Sequence, residues 1–289
     1  MTELNVTPTD GACGAVVSGI NFSEEIPPET VAKIRKAWMQ YHVLVFEDQQ
    51  LTDTDLERVT RYFGGVGEDP YFESIDETTP VVALTRKADE RAPVFAEGWH
   101  SDWSFKENPP VGTLLYAITI PPVGGQTSFA NQHAALAAMP KTLRDRLEHQ
   151  TAIHSAAHAY APDGVYGEED AQTDRSLKIV YSESARDTYE HPLIRVHPEN
   201  QQAAIFSTYG YIQGLKGMAA DEAKALLMEM YQWQSRPEFH YQHTWEPGML
   251  VIWDNRSVLH RAHGGYDGYE RELHRTTIAP DPSLFVSLA

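Results

Sequence analysis

A histidine and an aspartate stand two positions apart in Trp99-His100-Ser101-Asp102-Trp103-Ser104-Phe105, inside an aromatic, strand-forming run. On a strand, side chains i and i+2 share one face, about 7 Å apart along the backbone. The imidazole and the carboxylate then converge on one cation, and Ser101 faces away. Two ligands do not fix an ion, so a third must come from elsewhere in the chain. His260 is the candidate, entered through a Pro247-Gly248 turn and the apolar stretch Met249–Trp253; His263 is its rival. Two histidines and one carboxylate on one side of an octahedral ion leave the other side open, as in non-haem Fe(II) oxygenases. No thiolate joins this set, which suits Fe(II) better than a closed structural zinc site.

Four stretches carry a resemblance: His100-Ser101-Asp102, Gly124-Gly125-Gln126-Thr127, Trp253-Asp254-Asn255-Arg256 through His260, and Arg271 through Arg275. In this order and spacing, from about residue 10 to about residue 280, the chain resembles the taurine/2-oxoglutarate-dependent dioxygenase family, which includes phenoxyacetate dioxygenases and alkylsulfatases. The resemblance implies Fe(II) on His100, Asp102 and His260, with 2-oxoglutarate as cosubstrate and O2 as oxidant. It places Arg271 and Thr127 at the far carboxylate of 2-oxoglutarate, where a planar two-pronged donor fits. It places Arg275 at the anionic group of a small organic substrate, although Arg271 and Arg275 could exchange roles. The implied reaction is hydroxylation, with 2-oxoglutarate converted to succinate and CO2.

Asp69, Phe72 and Ala96 fall where taurine-type members carry histidine, tyrosine and asparagine, and an aspartate beside a sulfonate would repel it. Taurine is thereby disfavoured. Trp103, Phe105, Tyr209 and Tyr211 are candidates to line the substrate pocket, with plain packing as the alternative for each. Two rival functions stay open: the same cofactors used for desaturation or cyclisation in a biosynthetic pathway, and a non-catalytic cupin-like binding protein. The other histidines invite blander readings. His154 and His158 would share a strand face and could form a second metal site, but they have no nearby carboxylate or cysteine. His240 and His243 point to opposite faces, and His274 packs in the last strand.

The 289 residues carry Lys+Arg 23 against Asp+Glu 41, a net charge of −18, which argues against nucleic acid or anionic membrane as the main partner. Cys13 is the one cysteine, so no intramolecular disulfide forms and a reducing compartment fits. The opening residues lack a basic and apolar signal segment, and no run is long enough to span a membrane. The expectation is a cytoplasmic protein with a small-molecule substrate, folded as one domain over residues 1–289, with homo-oligomerisation left open.

The elements that must position these residues are short. Residues 12–22 read as glycine-interrupted strands. A helix starts at Pro27-Pro28, with Val31, Ile34, Trp38 and Tyr41 as its stripe. His42–Phe46 is a buried strand, and Thr52 with Asp55 opens a second helix. Gly64–Gly67 reads as a helix stop and turn, since no Lys-Ser/Thr follows to make a phosphate loop. Residues 68–80 run over the mouth of the site, Val81–Leu84 is a strand, and 86–97 form a polar loop. Thr113–Ile120, Gln126–Phe129, 151–160, His191–His197, Ala203–Thr208, Phe239–Trp245, Met249–Trp253 and His274–Ala279 read as strands. Helical stretches follow Asn131 and Pro140 and cover Ala219–Gln234, while 161–190 lack periodicity and read as an insertion, either a lid or disorder. Many short strands with a few covering helices predict a mainly β fold with flanking helices, a double-stranded β-helix of the jelly-roll, cupin-like type.

Overall fold

The computed structural model describes residues 4–281. Its largest sheet runs in the order Asn5–Pro8, Ala15–Ser18, Val43–Phe46, Leu250–Asp254, Gly112–Thr119, Arg271–Ala279 and Gly65–Val66, with Val82–Arg86 also paired to Arg271–Ala279. Every pairing is antiparallel except that of Ala15–Ser18 with Val43–Phe46. A second sheet, His240–His243, Thr127–Asn131 and Val258–Ala262, closes over it. Together they make a double-stranded β-helix.

The central strands read as unbroken apolar runs because both of their faces are buried. Leu44, Phe46, Leu114, Tyr116, Leu250 and Ile252 face the helices, packing with Trp38, Leu56, Val59 and Phe63. Their alternates Val43, Val45, Leu115, Ala117, Val251 and Trp253 face Phe129 and Val258 of the second sheet. The covering helices are Pro28–Tyr41 and Asp53–Phe63. The second starts on a reciprocal box: Asp55 N–H donates to Thr52 Oγ1 at 3.2 Å, and Thr52 N–H donates to Asp55 Oδ2 at 2.9 Å. A further core lies where Gln132–Ala137, Lys141–Leu147 and Ala220–Gln234 pack on the Thr151–Ser155 sheet, around Leu136, Leu143, Leu226 and Met230.

Three local expectations need correction. The 151–160 strand ends at Ser155, and Ala157–Tyr160 is a helical turn. There Ser155 Oγ accepts from the Ala157 N–H at 3.1 Å, a local bond that competes with the ladder, and two alanines favour the helix. Gly65–Val66 pairs with Ile278–Ala279 and is more than a turn; a Cβ on Gly64 would lie 2.6 Å from Ile278 Cγ2, so only glycine allows the approach. The third correction concerns residues 99–105 and belongs to the site. Segment 161–190 has little regular structure, yet it is tied down: Asp174 accepts from the Arg91 and Ala92 N–H groups at 2.8 and 2.9 Å, and Glu90 from the Ser176 N–H at 2.9 Å. Among the described residues no helix is long and apolar enough to cross a membrane.

Candidate metal centre and its cavity

His100 and His260 meet as a single rung of an antiparallel ladder. His100 N–H donates to the His260 carbonyl at 3.0 Å and His260 N–H donates to the His100 carbonyl at 2.9 Å. Residues so opposed send their side chains to the same face, and the two rings sit 4.2 Å apart between centroids. Asp102 reaches that face by a route other than the strand spacing: residues 102–105 form a turn, with Trp103 in the left-handed region at φ 46°. The turn replaces the strand because the buried Trp103 indole donates to Asp69 and the Ser101 hydroxyl is held by the Asn255 carbonyl at 2.8 Å. Left-handed backbone at a bulky residue is uncommon and tends to mark functional sites.

Asp102 Oδ1 lies 3.8 Å from His100 Nε2 and 3.6 Å from His260 Nε2, and all three donor atoms fall within 4.8 Å of one another. This is the one group of three or more potential ligands found among the described residues. The donors suit a divalent cation. His100 Nδ1 bonds the Gly98 carbonyl at 2.9 Å, which fixes the proton there and turns the Nε2 lone pair inward. Burial pushes both imidazoles below their ordinary pKa, so they are neutral, as ligation requires. Burial pushes Asp102 up, but Arg275, His260, His100 and the Thr113 hydroxyl outweigh it and hold the carboxyl below the usual range. Its outer oxygen accepts from Thr113 at 2.6 Å, Thr113 from Asn255 at 2.9 Å, and Asn255 from the Trp253 indole at 2.9 Å. The Asn255 of the Trp-Asp-Asn-Arg stretch therefore braces Asp102 through Thr113. Its Asp254 and Arg256 instead form a buried ion network with His197 and Glu199.

A cavity opens beside these residues, lined among others by His100, His260, Thr127, Tyr266, Arg271 and Arg275. Arg271 is 9% exposed, and among the described residues no carboxylate pairs with it. Its Nη2 donates to the Gly125 carbonyl at 3.1 Å, while Nε finds no partner. Burial pulls its pKa down to about 10. Gly125 sits at φ +68°, and a Cβ there would come 3.1 Å from Arg271 Nε, so the glycine clears room for the guanidinium. Thr127 Oγ1 accepts from the Trp245 indole at 3.0 Å, which leaves its own hydrogen free to donate.

Residues 5–277 match the model of the Taurine catabolism dioxygenase TauD, TfdA family. The chain belongs to this family. It is similar to an alkylsulfatase of Acinetobacter baylyi, 31% identical with 96% of this chain and 85% of the other covered. It is also similar to an alpha-ketoglutarate-dependent 2,4-dichlorophenoxyacetate dioxygenase of Cupriavidus pinatubonensis, 31% identical over 92% and 94% of the two chains. A solved taurine dioxygenase from Burkholderia xenovorans superposes with a TM-score of 0.78 at 26% identity, covering 96% of this chain and 91% of that one. The protein is thus a 2-oxoglutarate (alpha-ketoglutarate) dependent dioxygenase of the TauD/TfdA family, working with Fe(II), 2-oxoglutarate and O2.

In this TauD/TfdA-family dioxygenase the second arginine is in a different state from the first. Arg275 donates from Nη1 to Asp102 at 3.1 Å and from Nε and Nη2 to Asp69 at 3.2 to 3.4 Å, with Phe72 and Trp103 against its faces. Burial lowers its pKa, and the two carboxylates more than reverse that. Phe72, Trp103 and Phe105 are buried in one aromatic cluster with Tyr71 and Tyr160. Tyr211 stacks edge-on with Phe105 at 4.9 Å and lines the space in front of His100, together with Phe95, Ala96, Tyr160 and Tyr166. Tyr209 is exposed and packs on Tyr231, away from the cavity. His263 bonds Ser128 at 2.8 Å, outside the triad. His154 is on a strand and His158 on the helical turn, so they share no face. His274 lies between Asp53 at 2.5 Å and Glu272 at 3.1 Å. Phe95, Tyr166 and Tyr266, which sequence reasoning passed over, sit in loops without periodicity; the one signal was the run of glycines at 264, 265 and 268 around Tyr266.

Proposed function

We propose that His100, Asp102 and His260 hold Fe(II), that Arg271 and Thr127 hold the far carboxylate of 2-oxoglutarate, and that the enzyme hydroxylates a small organic molecule bearing an acidic group. The single observation that supports this reading most is Arg271: a buried cation with no carboxylate partner among the described residues, in the same cavity as two neutral imidazoles. An uncompensated buried charge is costly, and a cosubstrate carboxylate would relieve it. Sulfate esters and phenoxy acids in the relatives' names support the acidic substrate class.

Bound Fe(II) with 2-oxoglutarate and O2 supplies the oxidising power, with succinate and CO2 as products. The chain's residues do the rest. Thr113 orients Asp102, the Gly98 carbonyl orients His100, and the Trp253 ring packs 4.6 Å from that of His260. The rings of Phe95, Tyr160, Tyr166 and Tyr211 restrict water in front of His100 and present a C–H bond to the metal side. Loop 161–190 contributes Arg175 and Leu177 to the cavity wall, and we read it with residues 68–80 as the cover of the site. The −18 charge and lone cysteine support a cytoplasmic enzyme acting without nucleic acid or membrane.

Succinate release from 2-oxoglutarate is measured with and without Fe(II) across sulfate esters, sulfonates and aryloxy acids, followed by product analysis. Release that needs iron and one substrate class, yielding a hydroxylated or cleaved product, is the expected result. A dehydrogenated or cyclised product would move the assignment to the desaturating alternative. No release with any class would favour the binding-protein reading.

A further inference from the structure

We infer that Asp69 determines substrate choice in this cavity. It occupies Arg275, so an acidic head group reaches that arginine only by displacing it, and the pocket selects by the apolar body of the substrate over a compact carboxylate or sulfonate. The inference rests on the reading of the cavity given above.

Each of the three guanidinium nitrogens of Arg275 already touches a carboxylate. Nε lies 3.3 and 3.4 Å from the two Asp69 oxygens, Nη2 3.2 Å from Asp69 Oδ1, and Nη1 3.1 Å from Asp102 Oδ1. Arginine grips an anion best through two parallel N–H groups, and Asp69 holds the Nε/Nη2 pair. Both side chains are almost fully enclosed, 4% exposed for Arg275 and 3% for Asp69. The Trp103 indole donates to Asp69 from behind, and the Phe72 and Trp103 rings lie 5.6 and 5.2 Å from the guanidinium carbon. Once the Asp102 charge is given to a cation, Asp69 is the carboxylate left on Arg275, and the guanidinium counters the burial that pushes the Asp69 carboxyl up. An incoming anion that broke this pair would leave a buried carboxylate unpaired, which is strongly unfavourable. Arg271 offers the opposite case: the same residue type, in the same cavity, with no carboxylate on it among the described residues. What is left for the substrate near His100 is a wall of rings, Phe95, Tyr160, Tyr166 and Tyr211.

Asp69→Asn keeps the shape and an acceptor for Trp103 but removes the charge; Asp69→Ala removes the carboxylate outright and guards against a fold effect peculiar to one variant. Binding of phenoxyacetate and of its neutral counterpart phenoxyacetamide to the full chain, with Mn(II) and 2-oxoglutarate present, is measured by calorimetry. Phenoxyacetate should bind both variants at least tenfold more tightly than it binds the parent, with phenoxyacetamide unchanged. Equal or weaker phenoxyacetate binding, an equal gain for both probes, or no measurable phenoxyacetate binding to parent and variants alike would overturn the inference. A separate titration of 2-oxoglutarate into the Mn(II)-loaded parent and both variants judges the cavity reading itself, since Arg271 is untouched by either substitution and all three should bind it alike.

Discussion

Asp102 presents one oxygen to two imidazoles and gives the other to Thr113, and this division of labour sets what each neighbouring residue contributes. Thr113→Val keeps the volume but removes the donor on Oδ2, so the carboxylate loses one of its two side-chain tethers and only Arg275 Nη1, 3.1 Å from Oδ1, still holds it. Fe(II) affinity should fall by about 10–100-fold, the usual effect of removing a group that orients a ligand, as read by metal titration. Asp102→Ala and His100→Ala should each abolish iron-dependent succinate release while the circular dichroism spectrum stays that of the parent; retained release in both would sink the triad. The donor types were legible in the sequence, because two histidines and an aspartate without a thiolate define a narrow class of sites. The unpaired state of Arg271 and the paired state of Arg275 were not, since both are arginines four residues apart on one strand.

That strand, Arg271–Ala279, sends both arginines to the same face, and the loops packed against it make them different. Gly125 leaves room at one, and the loop bearing Asp69 provides a counter-ion at the other. Gly125→Ala would force a Cβ into left-handed backbone, at a cost of about 1–2 kcal/mol, and press it against Arg271. The KM for 2-oxoglutarate should rise several-fold with the KM for the organic substrate little changed; the reverse split would mean that Arg271 does not serve the cosubstrate. Elements with strong periodicity or capping, such as Pro28–Tyr41 and Asp53–Phe63, could be read directly. The 99–105 run could not, because its aromatic residues serve a cluster reached by a turn and their β propensity is overridden by burial.

Across the whole molecule, buried histidines away from the candidate metal site link stability to pH. Burial pushes His42 down to about 4, helped by His133; His154 to about 3, helped by His191; and His243 to about 4. The unfolded chain takes up these protons near pH 6.5 and the folded chain does not until pH 3–4. The unfolded state therefore binds more protons in that window, and stability rises with pH across it. The thermal midpoint of chelator-treated protein at about 0.15 M salt, where long-range charge effects are screened beyond about 8 Å, should be level above pH 7 and fall steadily from pH 6.5 towards 4. A level profile through that range would show that these side chains are not neutral and enclosed.

The sequence by itself determined the candidate ligand set and the layout of the fold, and the resemblance carried by its four motifs implied the reaction class. Ligand chemistry depends on residue type, and apolar periodicity dictates which faces must be buried. Only the tertiary structure decided how the candidate ligands meet and which cation is left open. His100 and His260 pair through a backbone rung between residues 160 positions apart, Asp102 arrives by a turn, and Asp69 neutralises Arg275 from a loop more than 200 residues away. The state of a buried charge depends on whatever neighbour the fold brings within a few ångströms, and spacing along the chain carries no record of that neighbour.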